Sequence, residues 1–111
     1  RSGSIEAWLY ALYLELLGRP ADPGGRDYWA GRARAGLLRY SIVANFYYSP
    51  ESLGRRVDAI YSETLDRAPT AAERTEGAAV ILGQDERRLR VLALSSDEYY
   101  QQFLVSVATQ Q

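Results

Sequence analysis

The sequence predicts an all-α fold, a compact bundle of about seven short helices formed from two degenerate helical repeats. Three observations lead there. Apolar residues recur at helical rather than strand spacing along nearly the whole chain. Cap and proline signatures interrupt them at short intervals, and the pattern of the first half returns in the second.

Ile5, Trp8, Leu9, Leu12, Tyr13, Leu16 and Leu17 fall at the i, i+3, i+4, i+7 spacing of one buried helix face. Ser4 is placed to cap its start, with residues 1–4 reading as a linker, and Gly18 and Pro20 mark its end. Asp22-Pro23 reads as an N-cap followed by proline at the first helical position, opening a helix through Tyr28, Trp29 and Ala33 that Gly36 closes. A short helix carries Ile42, Val43, Phe46 and Tyr47. Ser49-Pro50-Glu51 then opens another with Leu53, Val57, Ile60, Tyr61 and Leu65. Thr70-Ala71-Ala72-Glu73 has the form of a capping box, and its helix runs to Gly83. A further short helix carries Leu89, Val91 and Leu92, and Ser96-Asp97-Glu98 starts the last, with Tyr99, Phe103, Leu104 and Val107.

The repetition is visible residue by residue. Ala11 to Arg19 aligns with Ala59 to Arg67 at an offset of 48, and after one deletion Gly36 aligns with Gly83 and Ser49-Pro50-Glu51 with Ser96-Asp97-Glu98. The expected organisation is one helical domain over residues 5–111, with repeat one at 5–53 and repeat two at 54–111. A chain of 111 residues is enough for one such core and too short for two ordinary domains.

Composition narrows the chemistry. Histidine, cysteine, methionine and lysine are absent, so His-based triads, thiol chemistry, Cys/His zinc sites and Schiff bases lack their usual residues. All 13 basic residues are arginine, set against 14 acidic ones for a net charge of -1. The arginines alternate with acids, which argues against nucleic-acid binding, and no apolar run approaches the ~18 residues of a membrane span. The chain is read as non-enzymatic, with no cofactor and no metal.

Several residues invite a functional reading beside a structural one. Glu15 and Glu63 each precede an arginine by four residues, Arg19 and Arg67; paired i,i+4 ions on a helix account for them better than a glycosidase dyad. Asp22 to Asp27 lacks the oxygen spacing of a calcium loop, and capping explains Asp22. The aromatic content points to binding. Tyr28 and Trp29, with Arg26, Asp27 and Arg32, lie within about two helical turns and suit a sugar, which takes flat ring faces and planar hydrogen-bonding groups. Trp29 also suits the core, and Tyr28 divides between packing and display. One tyrosine of each doublet, Tyr47-Tyr48 and Tyr99-Tyr100, must face outward, because helical neighbours diverge by about 100°. Beyond its core stripe, the first helix carries Ala7, Tyr10, Ala11 and Leu14. A central helix buried all round is the expected explanation, and a partner surface using Tyr10 and Leu14 the other.

Leu12-Tyr13, Leu16-Leu17-Gly18-Arg19, Asp22-Pro23, Gly25, Tyr28-Trp29, Gly36 and the later Ser49-Pro50-Glu51 resemble the repeat of the bacterial "domain of unknown function 4214" family. The second repeat departs from it, with Thr70 for the aspartate, Glu73 for the glycine and Glu76-Gly77 for the Tyr-Trp pair. The resemblance implies a module of a larger bacterial protein: secreted, surface-layer-like, adhesin-like or tied to surface-polysaccharide synthesis. The expected partners are glycan or surface polysaccharide and the other domains of that protein. The expected location is extracellular or at the cell surface, with cytoplasmic association with polysaccharide synthesis as the alternative.

Overall fold

The structure, a computed structural model, describes residues 2–109. These residues form seven α-helices and no strand. The helices are α1 (Ser2–Leu12), α2 (Pro23–Arg34), α3 (Arg39–Tyr47), α4 (Pro50–Leu65), α5 (Ala71–Gly83), α6 (Glu86–Leu94) and α7 (Asp97–Thr109). The chain is all-α, as its periodicity predicts, and divides into two compact units, the first closing at Ser52 and the second opening at Leu53.

Local chemistry explains most helix ends. The Asp22 carboxylate accepts a hydrogen bond from the Gly25 backbone N–H at 2.9 Å, and Pro23 takes the first position of α2, where a missing N–H costs nothing. Thr70 and Glu73 form the full capping box: the Glu73 N–H donates to Thr70 Oγ1 at 3.1 Å, and the Thr70 N–H to Glu73 Oε1 at 2.9 Å. Ser49 and Ser96 play one part in both units, each hydroxyl accepting a backbone N–H at 3.2 Å, from Ser52 and from Tyr99. Asp85 caps α6 through the Arg88 N–H, a cap absent from the sequence expectation. At the end of α2, Gly36 adopts φ 104°, and the N–H groups of Gly36 and Leu37 return to the carbonyls of Ala33 and Arg32. That pattern is a Schellman stop, which favours glycine.

Two expectations about the first helix are corrected. Helix α1 begins at Ser2, so Ser4 lies inside it and does not cap it. The helix also changes pitch: Tyr13–Leu17 form a π-helical turn that ends at Gly18, whose φ of 69° is left-handed. In the second unit the corresponding helix, α4, stays α-helical through Leu65, and Asp66 takes the left-handed position with φ 55°.

Within the first unit, Leu9, Tyr13 and Leu17 bury against Ala30 of α2 and Ile42 and Phe46 of α3, flanked by Ile5, Trp8, Leu12, Leu16 and Trp29. The Tyr13 and Phe46 rings meet edge to face at 4.9 Å, and Trp29 tilts onto Phe46 at 5.4 Å. Within the second unit, Leu53, Val57 and Ile60 of α4 bury against Ile81 of α5 and Leu89 and Ala93 of α6. Here the position of Trp29 is held by Gly77 and that of Phe46 by Ala93. The difference is compensated by approach: a Cβ on Gly77 would lie 2.9 Å from Val57 Cγ1 and 3.2 Å from Leu89 Cδ2. One unit fills its centre with rings, and the other brings the backbone of α5 inward.

The second apolar stripe of α1 is not buried. Ala7, Tyr10, Ala11 and Leu14 are exposed, which overturns the expectation of a central helix. The reason is the number of layers: α2 and α3 pack on the same stripe of α1 and its π-turn, and among the described residues of the first unit no further helix covers the other side.

Candidate functional site

Helix α2 carries all five residues expected to bind, Arg26, Asp27, Tyr28, Trp29 and Arg32. Its start is fixed by the Asp22 cap and by Gly25, where an added Cβ would collide with the Tyr13 hydroxyl. The Tyr28 ring is 56% exposed and stands edge to face on Trp29, with centroids 5.0 Å apart and planes at 83°. Trp29 is partly buried and rests on Phe46, so an outward ring is braced on the core through an inward one. The Arg32 guanidinium lies 5.9 Å from the Tyr28 centroid. Arg26 and Asp27 are exposed and pair with each other at 3.4 Å. Tyr28, Trp29 and Arg32 therefore share contacts, and Arg26 and Asp27 pair on the same helix.

Tyr10 and Leu14 lie on the exposed stripe of α1, 55% and 43% exposed. Both tyrosine doublets divide as the helix angle requires, with Tyr48 and Tyr100 outward and Tyr47 and Tyr99 partly buried.

A feature unmarked by the sequence reading is an open groove of about 860 Å³ in the first unit, lined by Ile5, Trp8, Leu37, Leu38, Arg39 and Tyr40 among others. None of the five α2 binding candidates lines it. Its sequence signal is the Leu37-Leu38-Arg39-Tyr40 run, which follows the Gly36 stop and sits off the helical stripes.

The expected Glu15–Arg19 and Glu63–Arg67 pairs are replaced by longer-range ones. Arg19 binds Glu51 with two hydrogen bonds, Nε to Oε2 at 2.7 Å and Nη2 to Oε1 at 3.1 Å. Arg67 binds Glu98 in the same way at 2.7 and 2.9 Å, and also takes both oxygens of Glu73 at 2.7 and 3.0 Å. Glu63 pairs with Arg90 at 3.1 Å. The cause is the left-handed residue, Gly18 or Asp66, that ends the helix just before each arginine and turns it away from the helix face. Each guanidinium also lies 5.3 Å from a tyrosine centroid, Tyr13 for Arg19 and Tyr61 for Arg67. Each unit is thus closed by an arginine clamp between the end of its first helix and the first turn of the helix that follows its third.

The clamps set the electrostatics. The Arg67 guanidinium, with the Thr70 N–H, holds the Glu73 carboxyl down to about 2, and Arg67 likewise lowers Glu98. The Gly25 N–H lowers Asp22, while burial raises the Tyr13 and Tyr61 hydroxyls. Because Glu73 is depressed in the folded chain, its contribution to stability is complete above the unfolded carboxylate pKa of about 4.5 and is lost as pH falls towards about 2, and the lowered Glu98 acts in the same direction. The thermal midpoint of the second unit is expected to drop over that interval. Thermal scans from pH 6 to about 2 should show a flatter dependence for Glu73→Gln.

Among the described residues no group of three or more Asp or Glu side chains is placed to hold a metal, and no helix is long and apolar enough to cross a membrane. Capped short helices, a repeated clamp and an aromatic face define a class: a helical repeat module. Residues 2–56, a span that contains both Arg19 and Glu51, match the family model described as Domain of unknown function (DUF4214). Through this segment the chain belongs to that family. No curated protein and no solved structure matches the chain.

Proposed function

We propose that the chain is a non-catalytic binding module of a larger bacterial surface, secreted or polysaccharide-associated protein, and that it recognises glycan through the outer face of α2. The observation that carries this reading is the braced and exposed Tyr28 ring with Arg32 beside it. A ring fixed on a helix loses little freedom on binding, and an apolar sugar face covers it without displacing a well-bound group. Arg26, Asp27 and Arg32 supply planar hydrogen-bonding groups around it. The commitment of Glu51, Glu73, Glu98 and Glu63 to arginines supports a non-catalytic role, since a glycosidase pair needs carboxylates free to exchange protons.

The test is binding of the purified chain to a broad glycan array. Tyr28→Ala should weaken binding by about tenfold or more while leaving the helical circular dichroism intact. Unchanged binding by the variant sinks the assignment to α2. A second reading, a protein-assembly or adhesin-scaffold module, is favoured by the exposed Ala7, Tyr10, Ala11 and Leu14 stripe. On that reading Tyr10→Asp or Leu14→Asp abolishes partner binding and Tyr28→Ala does not.

A further inference from the structure

Each unit is founded on a helix whose apolar stripe is covered by the two helices that follow it. In the first, α2 and α3 cover Leu9 and Tyr13; in the second, α5 and α6 cover Leu53, Val57 and Ile60. Helix α7 repeats α4 at an offset of 47, which puts Tyr100, Leu104 and Val107 at the positions of Leu53, Val57 and Ile60. The agreement extends to chemistry that periodicity does not require. Ser96 receives the Tyr99 N–H as Ser49 receives that of Ser52, and Glu98 clamps Arg67 as Glu51 clamps Arg19. Burial is where the two helices part. Leu53, Val57 and Ile60 are 4, 0 and 2% exposed, whereas Tyr100, Leu104 and Val107 are 58, 41 and 39% exposed.

We propose that α7 is the founding helix of a third repeat, and that its Tyr100–Leu104–Val107 face docks a helix pair of the α5–α6 kind. The two interfaces already formed in the chain specify that occupant. Its first helix enters through a side-chain N-cap, as at Asp22 and Thr70, and presents a small residue, as Ala30 and Ala78 do. Its second helix presents an apolar pair four residues apart, as Ile42 and Phe46 do in one unit and Leu89 and Ala93 in the other. Such a pair removes the α7 face from water as the other two founding faces are removed.

The experiment uses the intact chain with and without a second copy of residues 65–96 joined directly after Gln111, which stands at the register of Thr64. In the extended chain, the α7 amides beyond the first turn should exchange at least about tenfold more slowly, and the added residues should contribute helix to the circular dichroism. Leu104→Asp with Val107→Asp should return both readings to those of the unextended chain, with the melting of the first two units unchanged. Added residues that stay unstructured, with α7 exchange unaltered, overturn the proposal. So does a dimer of the unextended chain that this double substitution dissociates, since the face then belongs to a second copy.

Discussion

Phe46→Ala is expected to remove about 3–5 kcal/mol from the first unit, as much as the whole stability of many domains of this size. Phe46 is 4% exposed and is the ring that both Tyr13 and Trp29 touch, so its loss opens a cavity that neither neighbour fills in its present rotamer. Trp29, left without that contact, also ceases to brace Tyr28, so the proposed binding face should fail along with the fold. The measurement is direct because both tryptophans, Trp8 and Trp29, lie in the first unit. Intrinsic fluorescence on denaturant titration follows that unit, while circular dichroism follows both. A fluorescence midpoint that moves by under about 1 kcal/mol would contradict the packing described for the aromatic cluster.

The opposite experiment belongs to the second unit. Gly77→Trp restores the residue found at the equivalent position of the first unit, yet it is expected to cost at least about 3 kcal/mol, the upper end for overpacking. The Cβ alone would stand inside contact distance of Val57 and Leu89, both buried. Gly77→Ala isolates the backbone effect. Alanine favours a helix over glycine by about 1 kcal/mol, so a net loss of stability would show that close approach outweighs propensity. A net gain in Gly77→Ala would mean that α5 retreats freely. The loss of the second unit's share of the helical circular dichroism, with a cooperative melt of the first unit's share retained, is the expected signature of Gly77→Trp.

The sequence and the structure agree where the deciding interactions are short. The Asp22 cap, the Thr70–Glu73 box and the Gly36 stop each join residues at most five apart, and the Ile5-to-Leu17 stripe meets the core at every position named. The α2 aromatic face was legible for the same reason, since Tyr28, Trp29 and Arg32 are neighbours on one helix. Agreement ended where the chain reverses. A left-handed residue at Gly18 or Asp66 sends the next arginine to a carboxylate 32 or 31 residues away, which helix spacing does not reach. A signal for it was nonetheless present, because Arg19 and Arg67 recur with Glu51 and Glu98 at nearly equal separation. The Trp8–Tyr40 groove shows in the sequence only as the Leu37–Tyr40 run off the helical stripes, since the groove is assembled from the start of α1 and the α2–α3 connection.

The position of the clamps bears on where such a chain can be divided. Arg19 finds its carboxylate at Glu51, and Arg67 at Glu98, each in the opening turn of the next long helix. A cut at the tidy seam before Pro50 would take Glu51 from Arg19 and leave it the longer contact to Asp22 at 3.4 Å, even though every helix of the first unit would be present. The natural length of one piece, measured along the chain, is therefore a repeat plus one turn of its successor.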